Sequence, residues 1–419
     1  MIRKQPSVNI SEIASSTDQC VKCGLCLPHC PTYLISQDEN ESPRGRLALI
    51  QGWASGALPQ SQKLDAHVNN CLLCRACERA CPAYVPYGEI IDSFRSEQHR
   101  SGAQTGGFIP SLARRILSQG KAQLLLAGIF NQRWLKRGLR LIGNSSRLLR
   151  YLHAWVSAYQ ARAPQTEKPS EEGSRGTVQL FLGCTGKMID GLTIRSIQKV
   201  LSHLGYGVSI PEELQCCGAL YHHSGDVHQA SRMTNALISS LDNSAPTPVV
   251  AFATGCEAFL CDLASRETSS HDPGLQNLAR IQDVSSFLVN CFQNEDIQLR
   301  HSDQKIFLHH PCSLRNTLKQ EKSVENMLRK IPGLKIQVSK SVGCCGASGT
   351  YMLDHPGTAD QLCGTLVEEF KASKANVILT SNPGCALHIK ANLLLDKDLQ
   401  DIQVIHPVSL IAEQIERSL

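Results

Sequence analysis

Short apolar runs alternate with amphipathic stretches from residue 177 to the end of the chain. Residues 178–184 and 305–312 are strand-like runs, and each ends in a cysteine. Helical periodicity appears between such runs at about 190–204, 226–241, 321–331 and 357–373. Strands that alternate with helices of this length are typical of a parallel sheet with crossover helices. The pattern therefore predicts two small α/β units in succession.

The first 100 residues have the spacing of short amphipathic helices. A helix is predicted at 43–55, with Ser42 as its N-cap and one apolar face made of Leu47, Ile50 and Trp53. A second helix is predicted at 60–70. Residues 1–19 are expected to form a lead-in helix or a disordered arm. This part of the chain is thus predicted to be all helical.

Positive charge is concentrated between residues 101 and 160. The whole chain has a formal charge of +5, but this segment contains nine basic residues and no Asp or Glu. Cations and apolar residues mix at 134–142 and 148–155. Such helices either rest on the inner face of an anionic cytoplasmic membrane, dock an acidic partner, or simply connect the flanking domains. Residues 161–176 have linker composition.

The number of cysteines is the main departure from ordinary globular composition. There are 19 of them in 419 residues, which does not fit the disulfide staples of a small secreted scaffold. The N-terminus lacks the apolar core of a signal peptide, and no run approaches the length of a spanning helix. We therefore expect a soluble, cytoplasmic protein of a reducing compartment whose thiols hold metal.

Two copies of one cysteine motif lie in the first 100 residues. Cys20–Pro31 reads C-V-K-C-G-L-C-L-P-H-C-P, and Cys71–Pro82 reads C-L-L-C-R-A-C-E-R-A-C-P. A C-x2-C-x2-C loop wraps three thiolates around one 4Fe–4S cluster, and the fourth cysteine reaches the neighbouring cluster. A zinc ribbon or a disulfide framework explains neither that fourth cysteine nor the proline. The spacing predicts two clusters, held by Cys20, Cys23, Cys26 and Cys81, and by Cys71, Cys74, Cys77 and Cys30.

Each α/β unit carries the same four cysteines, with an offset of 128 residues, or 129 at the last position. A strand-end cysteine is followed by Cys-Cys-Gly and then by a cysteine that has glycine before it. The two sets are Cys184, Cys216, Cys217 and Cys256, and Cys312, Cys344, Cys345 and Cys385. Because strand ends meet at one edge of an α/β sheet, each set is expected to converge. Metal or redox chemistry and buried structural thiols are the alternatives.

Together these motifs resemble a known family. The repeat is similar to the cysteine-rich CCG domain of heterodisulfide reductases, and the whole arrangement resembles the glycolate oxidase iron–sulfur subunit family. The shared features are the two cluster motifs, the S-P-R-G-R box at 42–46, the helical connector and the two CCG domains. Arg44 and Arg46 of that box either lie near the clusters or form ordinary ion pairs.

The resemblance implies an α+β multidomain fold. An all-helical ferredoxin domain with two clusters is expected at 1–100, and a basic helical connector and linker at 101–176. A duplicated α/β cysteine-rich (CCG) domain is expected at 177–300 and 301–419. Similar subunits serve D-lactate and anaerobic glycerol-3-phosphate dehydrogenases, so the family is better specified than the substrate.

Both CCG copies depart from the family pattern. In heterodisulfide reductases each complete motif ends in C-x2-C and gives five thiolates for a cluster. Here Phe259 and His388 stand at the fifth position, and Cys261 has the wrong spacing. We therefore expect a further iron–sulfur or metal centre in the second copy, with His388 as a nitrogen ligand beside its four cysteines. A centre in the first copy is less strongly indicated.

The sequence offers no flavin or nucleotide site of its own. No G-x-G-x-x-G follows a strand and no Walker A loop is present. Histidines flank the repeat cysteines and are interpreted as structural: His222, His223, His309 and His310. A chain with clusters and no organic cofactor moves electrons for chemistry that occurs elsewhere.

The resemblance implies the iron–sulfur electron-transfer subunit of an FAD-dependent 2-hydroxy-acid dehydrogenase. A partner flavoprotein would oxidise glycolate to glyoxylate at FAD, and electrons would leave towards a quinone or another membrane acceptor; no nucleic acid is involved. D-lactate and glycerol 3-phosphate are the alternative substrates. A thiol–disulfide reductase and a zinc-stapled scaffold are alternatives of other classes.

Overall fold

The computed structural model describes residues 10–102, 107–119, 123, 138–139, 146–160, 173–211, 216–241, 247–266, 277–278, 280–293, 297–340 and 344–415. Contacts divide the chain into two compact units that are discontinuous in sequence. The first unit comprises Met1–Arg114, Gly218–Asn235 and Gly346–Leu362. The second comprises Arg115–Cys217, Ala236–Cys345 and Cys363–Leu419.

Helices and strands follow one another in an order that differs between the two parts of the chain. The first helices are α1 (Ile10–Asp18), α2 (Pro31–Ser36), α3 (Pro43–Ala54), α4 (Gln62–Asn69), α5 (Ala76–Arg79), α6 (Tyr87–Arg100), α7 (Phe108–Ser118) and α8 (Arg147–Gln160). The first α/β repeat has β1 (Thr177–Phe181), α9 (Cys184–Ile189), α10 (Gly191–His203), β2 (Gly207–Ser209), α11 (Ala219–His222), α12 (Val227–Ser240), β3 (Val249–Ala251), α13 (Thr254–Arg266), β4 (Ile281–Asp283) and α14 (Val284–Gln293).

The second α/β repeat has the same succession of strands and crossover helices. It comprises β5 (Lys305–His309), a π-helical turn (Ser313–Leu318), α15 (Glu321–Leu328), β6 (Lys335–Val338), α16 (Tyr351–Asp354), α17 (Pro356–Ser373), β7 (Val377–Thr380), α18 (Pro383–Leu393), β8 (Gln403–Ile405) and α19 (Pro407–Gln414). Short 3₁₀ turns occur at Leu27–His29, Glu39–Glu41 and Lys397–Leu399.

The first unit is held together by apolar side chains from α1, α3, α4 and α6. Ile13, Ile50 and Val68 are buried there with Phe94. The ring of Trp53 meets that of Phe94 edge-on, with centroids 4.9 Å apart. The apolar face predicted on α3 therefore packs into this core, since burial of apolar surface is the main force that holds such short helices in place.

Serine caps set the starts of the helices between the two cysteine motifs. The hydroxyl of Ser42 accepts a hydrogen bond from the Gly45 N–H at 2.9 Å, and α3 begins at the next residue. Ser61 caps α4 in the same way through Leu64 N. Such caps satisfy N–H groups that the first helical turn leaves without partners. Both predicted helices are confirmed within two residues, and α1 forms within the predicted lead-in segment.

The second unit contains two four-stranded sheets, and every strand pair in them is parallel. Their strand orders are β2-β1-β3-β4 and β6-β5-β7-β8. Leu180 is in register with Val250 in the first sheet, and Leu308 with Leu379 in the second. These residues are fully or almost fully buried, as expected of parallel strands that helices cover on both faces.

The two repeats share one apolar core. The first crossover helix of each repeat packs against the last helix of the other, so α10 meets α19 and α15 meets α14. The buried residues of this core come from both sheets. At the strand ends, Thr254 N donates a hydrogen bond to the Ser381 carbonyl. Reciprocal packing of this kind gives the duplicated units an approximate two-fold relation.

The predicted α+β multidomain class is confirmed, with a helical N-terminal part and duplicated parallel α/β units. Several predictions lie largely outside the described residues: most of the helix at 134–142, most of the linker at 161–176 and the start of the lead-in arm. In the described ranges no helix is both long and apolar enough to cross a membrane.

Candidate metal centres

Four cysteines from the two N-terminal motifs line one cavity in the first unit, here called cavity 1. They are Cys20, Cys23 and Cys26 of the first motif and Cys81 of the second, with Cys77 also at the wall. The rest of the wall is largely apolar and includes Leu47 and Val85. The fourth cysteine of the second motif thus joins the first three of the other motif.

A second cavity, here called cavity 2, has the reciprocal set of thiols. Cys30 from the first motif lines it together with Cys71, Cys74 and Cys77 from the second. Cys77, Pro43 and Tyr87 line both cavities. The structure therefore brings together the two crossed sets of four that the spacing predicts, and only a shared wall separates them.

Each cysteine loop turns through left-handed backbone at equivalent positions. In the first loop these are Lys22 (φ 57°) and Gly24 (φ 81°), and in the second they are Leu73 (φ 50°) and Arg75 (φ 56°). Left-handed conformation is easy for glycine and costs free energy for other residues. This backbone conformation curves each loop so that its successive cysteines line the same cavity, which explains why the strain is retained.

Arg46 connects the S-P-R-G-R box to cavity 2. It is almost completely buried and lines that cavity. Its guanidinium pairs with Glu41 and donates to the carbonyl oxygens of Glu41 and His67, at 2.6 and 2.7 Å. Arg44 lines cavity 1 and pairs with Glu39 at 2.7 Å near the surface. Each arginine therefore both lies at a cavity and forms an ion pair.

Burial raises the pKa of two of these thiols when no metal is bound. It raises the pKa of Cys26 to about 11, and it raises the pKa of Cys77 well above its ordinary value. Metal ligation requires the thiolate, so loading either cavity must release protons. The paired set of four thiols around a cavity fits a multi-iron cluster, whose iron atoms each take one thiolate.

The repeat cysteines also converge, at the carboxyl edge of each sheet in the second unit. In the first repeat the thiol of Cys216 is within hydrogen-bonding reach of Cys184 and Cys217, and Cys217 reaches Cys256. In the second repeat Cys312 reaches Cys344, and Cys345 reaches Cys385. This edge is where parallel α/β sheets bind their ligands, beside the point at which strand order reverses.

Comparison with known proteins follows the same division of the chain. A family model described as "4Fe-4S dicluster domain" matches residues 16–85, and the "Cysteine-rich domain" model matches 178–261 and 306–390. The chain belongs to the family of iron–sulfur subunits that join a 4Fe–4S dicluster domain to two cysteine-rich CCG domains.

Relatives align over nearly the whole length of this iron–sulfur subunit. It is 27% identical to the probable glycolate oxidase iron–sulfur subunit of Bacillus subtilis, over 94% of this chain and 93% of that one. It is 29% identical to the glycolate oxidase iron–sulfur subunit of Escherichia coli, over 88% and 89%. A heterodisulfide reductase subunit of Methanosarcina acetivorans is 23% identical over 100% of both chains. The resemblance to the glycolate oxidase subunit family is confirmed.

Each CCG motif requires glycine at its third position for steric reasons. Gly218 and Gly346 have φ of 89° and 86°, which L side chains rarely adopt. A Cβ at Gly218 would lie 2.6 Å from the Ala230 carbonyl oxygen, and one at Gly346 would lie 2.6 Å from that of Ala359. Because the obstructing atoms are backbone, they cannot move aside cheaply. Glycine at this position therefore allows the motif backbone to pack closely against α12 in the first repeat and α17 in the second.

The two CCG domains differ in the state of their first cysteine. In the second domain a hydrogen bond from Cys344, the Ser313 N–H and nearby Arg315 lower the pKa of Cys312, despite its burial. In the first domain the hydrogen bond with Cys216 and burial raise the pKa of Cys184. The second set is therefore the better source of thiolate.

His388, the candidate nitrogen ligand, lies on α18 one turn after Cys385 and is completely buried. Its Nδ1 is 2.7 Å from the Tyr151 hydroxyl, and the two rings stack with centroids 5.9 Å apart. Tyr151 belongs to α8, in the segment interpreted as a connector. Sequence reasoning gave no signal for this contact, because the two residues lie far apart in the chain.

Cys363 is a second residue that the sequence reasoning missed. It lies on α17, is fully buried, and interacts electrostatically with Cys385. Its Sγ is 4.0 Å from the His388 carbonyl oxygen. It has no counterpart in the first repeat, where Asn235 stands at the equivalent position. Phe259 and Cys261, by contrast, lie on α13 of the first domain.

Each histidine beside the repeat cysteines has a polar partner at one of its ring nitrogens. His222 and His223 face Asp92, at 3.6 and 3.1 Å. His309 Nδ1 is 3.0 Å from the Thr380 hydroxyl, and His310 is 3.2 Å from Glu325. Among the described residues no three Cys, His, Asp or Glu side chains form a site for a single metal ion.

Proposed function

We propose that this chain is the electron-transfer subunit of an FAD-dependent 2-hydroxy-acid dehydrogenase complex, with glycolate as the substrate oxidised in a partner. The observation that carries the proposal is the pair of four-thiol cavities with a shared wall. The relatives over the whole chain, named as glycolate oxidase subunits, support the choice of substrate.

The proposed ligands follow from the cavity walls. Cavity 1 holds a cluster through Cys20, Cys23, Cys26 and Cys81, and cavity 2 holds one through Cys71, Cys74, Cys77 and Cys30. Bound clusters supply one-electron transfer. The chain's own residues fix the ligand loops, keep water from the inner wall through Leu47, Val85 and Tyr87, and place Arg46 as a buried cation beside cavity 2.

Oxidation of glycolate to glyoxylate removes two electrons and two protons, so it needs a two-electron acceptor such as FAD on a partner flavoprotein. The electrons would then pass singly through this subunit to a quinone or another membrane acceptor. We propose a further metal centre in the second CCG domain, at Cys312, Cys344, Cys345 and Cys385 with His388 nearby. The lowered pKa of Cys312 supports that site over the one in the first domain, where the pKa of Cys184 is raised.

Reduction by substrate tests this function directly. Glycolate and the purified FAD-binding partner should bleach the iron–sulfur absorbance of this subunit under anaerobic conditions, and the clusters should give electron paramagnetic resonance signals. D-lactate and glycerol 3-phosphate serve as comparison substrates. If one of these substrates bleaches the clusters and glycolate does not, the electron-transfer role of this subunit stands and that substrate takes the place of glycolate in the proposal.

A thiol–disulfide reductase is the second candidate. The close thiols and the lowered pKa of Cys312 favour it, as does the relative from heterodisulfide reductase. Cys344→Ser and Cys345→Ser discriminate between the two. If they abolish disulfide reduction while glycolate-dependent bleaching is unchanged, the reductase function is the correct one for the CCG domains.

Contact with an anionic membrane surface is proposed for the basic segment. On α7, Phe108, Ile109 and Leu112 are exposed next to Arg115. An exposed apolar stripe beside cations is typical of helices that lie at a lipid interface. Phe108→Ser combined with Ile109→Ser should reduce co-sedimentation with anionic vesicles. Unchanged binding would leave the segment as a connector.

A further inference from the structure

The two cysteine loops of the dicluster domain repeat each other in sequence but differ in what covers them. In the second loop Leu72 is only 4% exposed. Residues of the first unit that follow the second CCG motif pack on this loop. The Ser348 hydroxyl donates to the Leu72 carbonyl at 2.6 Å, and the Tyr351 hydroxyl donates to the Asn70 side chain at 2.6 Å. The second loop is therefore covered by the chain itself.

In the first loop, at Cys20–Cys26, large apolar side chains are exposed to solvent. Val21, which is equivalent to Leu72, is 70% exposed, and Leu25 is 56% exposed. Tyr84, three residues after Cys81, is 85% exposed. No residue in the described part of the chain covers these side chains. Large exposed apolar side chains that cluster at one place mark an interaction surface.

Tyr84 is held in this exposed position by the backbone. Its φ is 53°, in the left-handed region that tyrosine rarely adopts, and its N–H donates to the Cys81 carbonyl at 3.3 Å. Backbone strain of this kind persists where the surrounding structure enforces it, and it is concentrated at functional sites. The turn after Cys81 thus presents an aromatic ring to solvent three residues after a cysteine of cavity 1.

The exposed residues lie at the outer wall of cavity 1. Val21, Leu25 and Ala83, the neighbour of Tyr84, line that cavity. Among the eight cysteines of the two cavities, Cys23 is the exposed one. Electron transfer requires that two redox groups approach closely. A surface that includes an exposed cysteine of cavity 1 is therefore suited to a redox partner.

We infer that Val21, Leu25 and Tyr84 form the docking surface for the redox partner of this subunit, and that electrons cross at Cys23. The partner's surface is apolar with a carboxylate opposite Lys22, because Lys22 is exposed whereas nearby Arg44 already pairs with Glu39. Cavity 2 is then the inner position of the path. That the partner is a flavoprotein rests on the proposed function. The location of the docking surface is independent of that function.

The test uses the full chain, loaded with iron anaerobically, and the complex that it forms in its own cells. Leu25→Asp and Tyr84→Ala should each weaken binding to the purified partner by at least about tenfold, measured by biolayer interferometry. Leu395→Asp is the matched control, since Leu395 is 55% exposed but lies in the second unit. Iron content checks that each variant still holds its clusters.

Hydrogen exchange locates the contact without any variant. The complex should protect residues 20–26 and 81–85 relative to the isolated chain. Binding unchanged by Leu25→Asp and Tyr84→Ala, or protection of these residues in the isolated chain already, would overturn the inference. A partner that binds at this surface but carries no flavin would uphold the docking surface and contradict the proposed function.

Discussion

Arg46 shows how a single residue of the S-P-R-G-R box organises the second cavity. Its charge is buried, and the groups around it are the Glu41 carboxylate, two backbone carbonyls and the thiols of cavity 2. A buried charge is stable only when such partners replace water. The same sequence box contains Arg44, whose pair with Glu39 is near the surface, so two neighbouring arginines have different energetic roles.

Replacing these arginines tests that difference. Arg46→Met should lower the free energy of unfolding by about 3–5 kcal/mol, because the buried Glu41 carboxylate loses its guanidinium partner and keeps only its contacts with His67 and Asn70. Arg44→Met, the matched control, should cost at most about 1 kcal/mol. Urea unfolding of the iron-loaded protein measures both. Equal losses for the two variants would contradict this account of the box.

His406 makes the second unit sensitive to acid. Burial lowers the pKa of His406 to about 3, from an ordinary value of 6.5. Below pH 6.5 the unfolded chain takes up this proton and the folded chain does not, so stability is lost as pH falls from 6.5 towards 3. His309, whose burial also lowers its pKa to about 3, acts in the same direction.

His406→Gln should therefore reduce the loss of stability between pH 7 and pH 5 by about 2 kcal/mol. Urea unfolding at the two pH values gives the difference for wild type and variant. His203→Gln, at an exposed position on α10, is the control substitution. A pH dependence that is the same in wild type and in His406→Gln would show that His406 does not stay neutral in the folded protein.

At the scale of elements, the CCG glycines decide how each motif continues. Both are left-handed, and a Cβ would meet a backbone carbonyl of α12 at Gly218 and of α17 at Gly346. Gly56 has a similar φ of 77°, but no atom lies within 4 Å of its Cβ position. Comparing substitutions at Gly346 and Gly56 therefore distinguishes the effect of a steric clash from the effect of left-handed backbone strain alone.

Gly346→Ala should destabilise the protein by about 2–4 kcal/mol, because it adds a clash with backbone atoms to the left-handed strain. Gly56→Ala should cost about 1 kcal/mol, the strain alone. Thermal or urea unfolding compares them. If Gly346→Ala were no worse than Gly56→Ala, the glycine of the motif would need another explanation.

The elements that sequence predicts well are those with local signals. Ser42 marks the start of α3, and apolar runs that end in cysteine mark β1 and β5. The thiol sets of the two cavities were predictable too, because the crossed spacing of the motif already joins Cys30 to the second loop and Cys81 to the first.

Contacts without a local signal were not predictable. Tyr151 meets His388 across more than half the chain, and Cys363 approaches Cys385 from a helix whose repeat counterpart has Asn235. The association of the segments after both CCG motifs with the first unit is of the same kind. In each case tertiary packing, and not propensity or spacing, decides the neighbour.

At the scale of the whole molecule, two kinds of cysteine site occur in one chain. The dicluster domain holds eight thiols around two cavities with a shared wall, and each CCG domain gathers four at a sheet edge. The family relation accounts for both kinds. What this subunit does depends first on whether the two cavities hold clusters in the crossed arrangement.

Metal analysis of Cys30→Ser and Cys81→Ser, with electron paramagnetic resonance, tests that claim most directly. The anaerobically reconstituted protein should hold about eight irons in the dicluster domain, and more if a CCG domain is also loaded. Each substitution should disturb a different cluster signal, Cys30→Ser that of cavity 2 and Cys81→Ser that of cavity 1. Zinc with little iron, or loss of the same signal in both variants, would contradict the account.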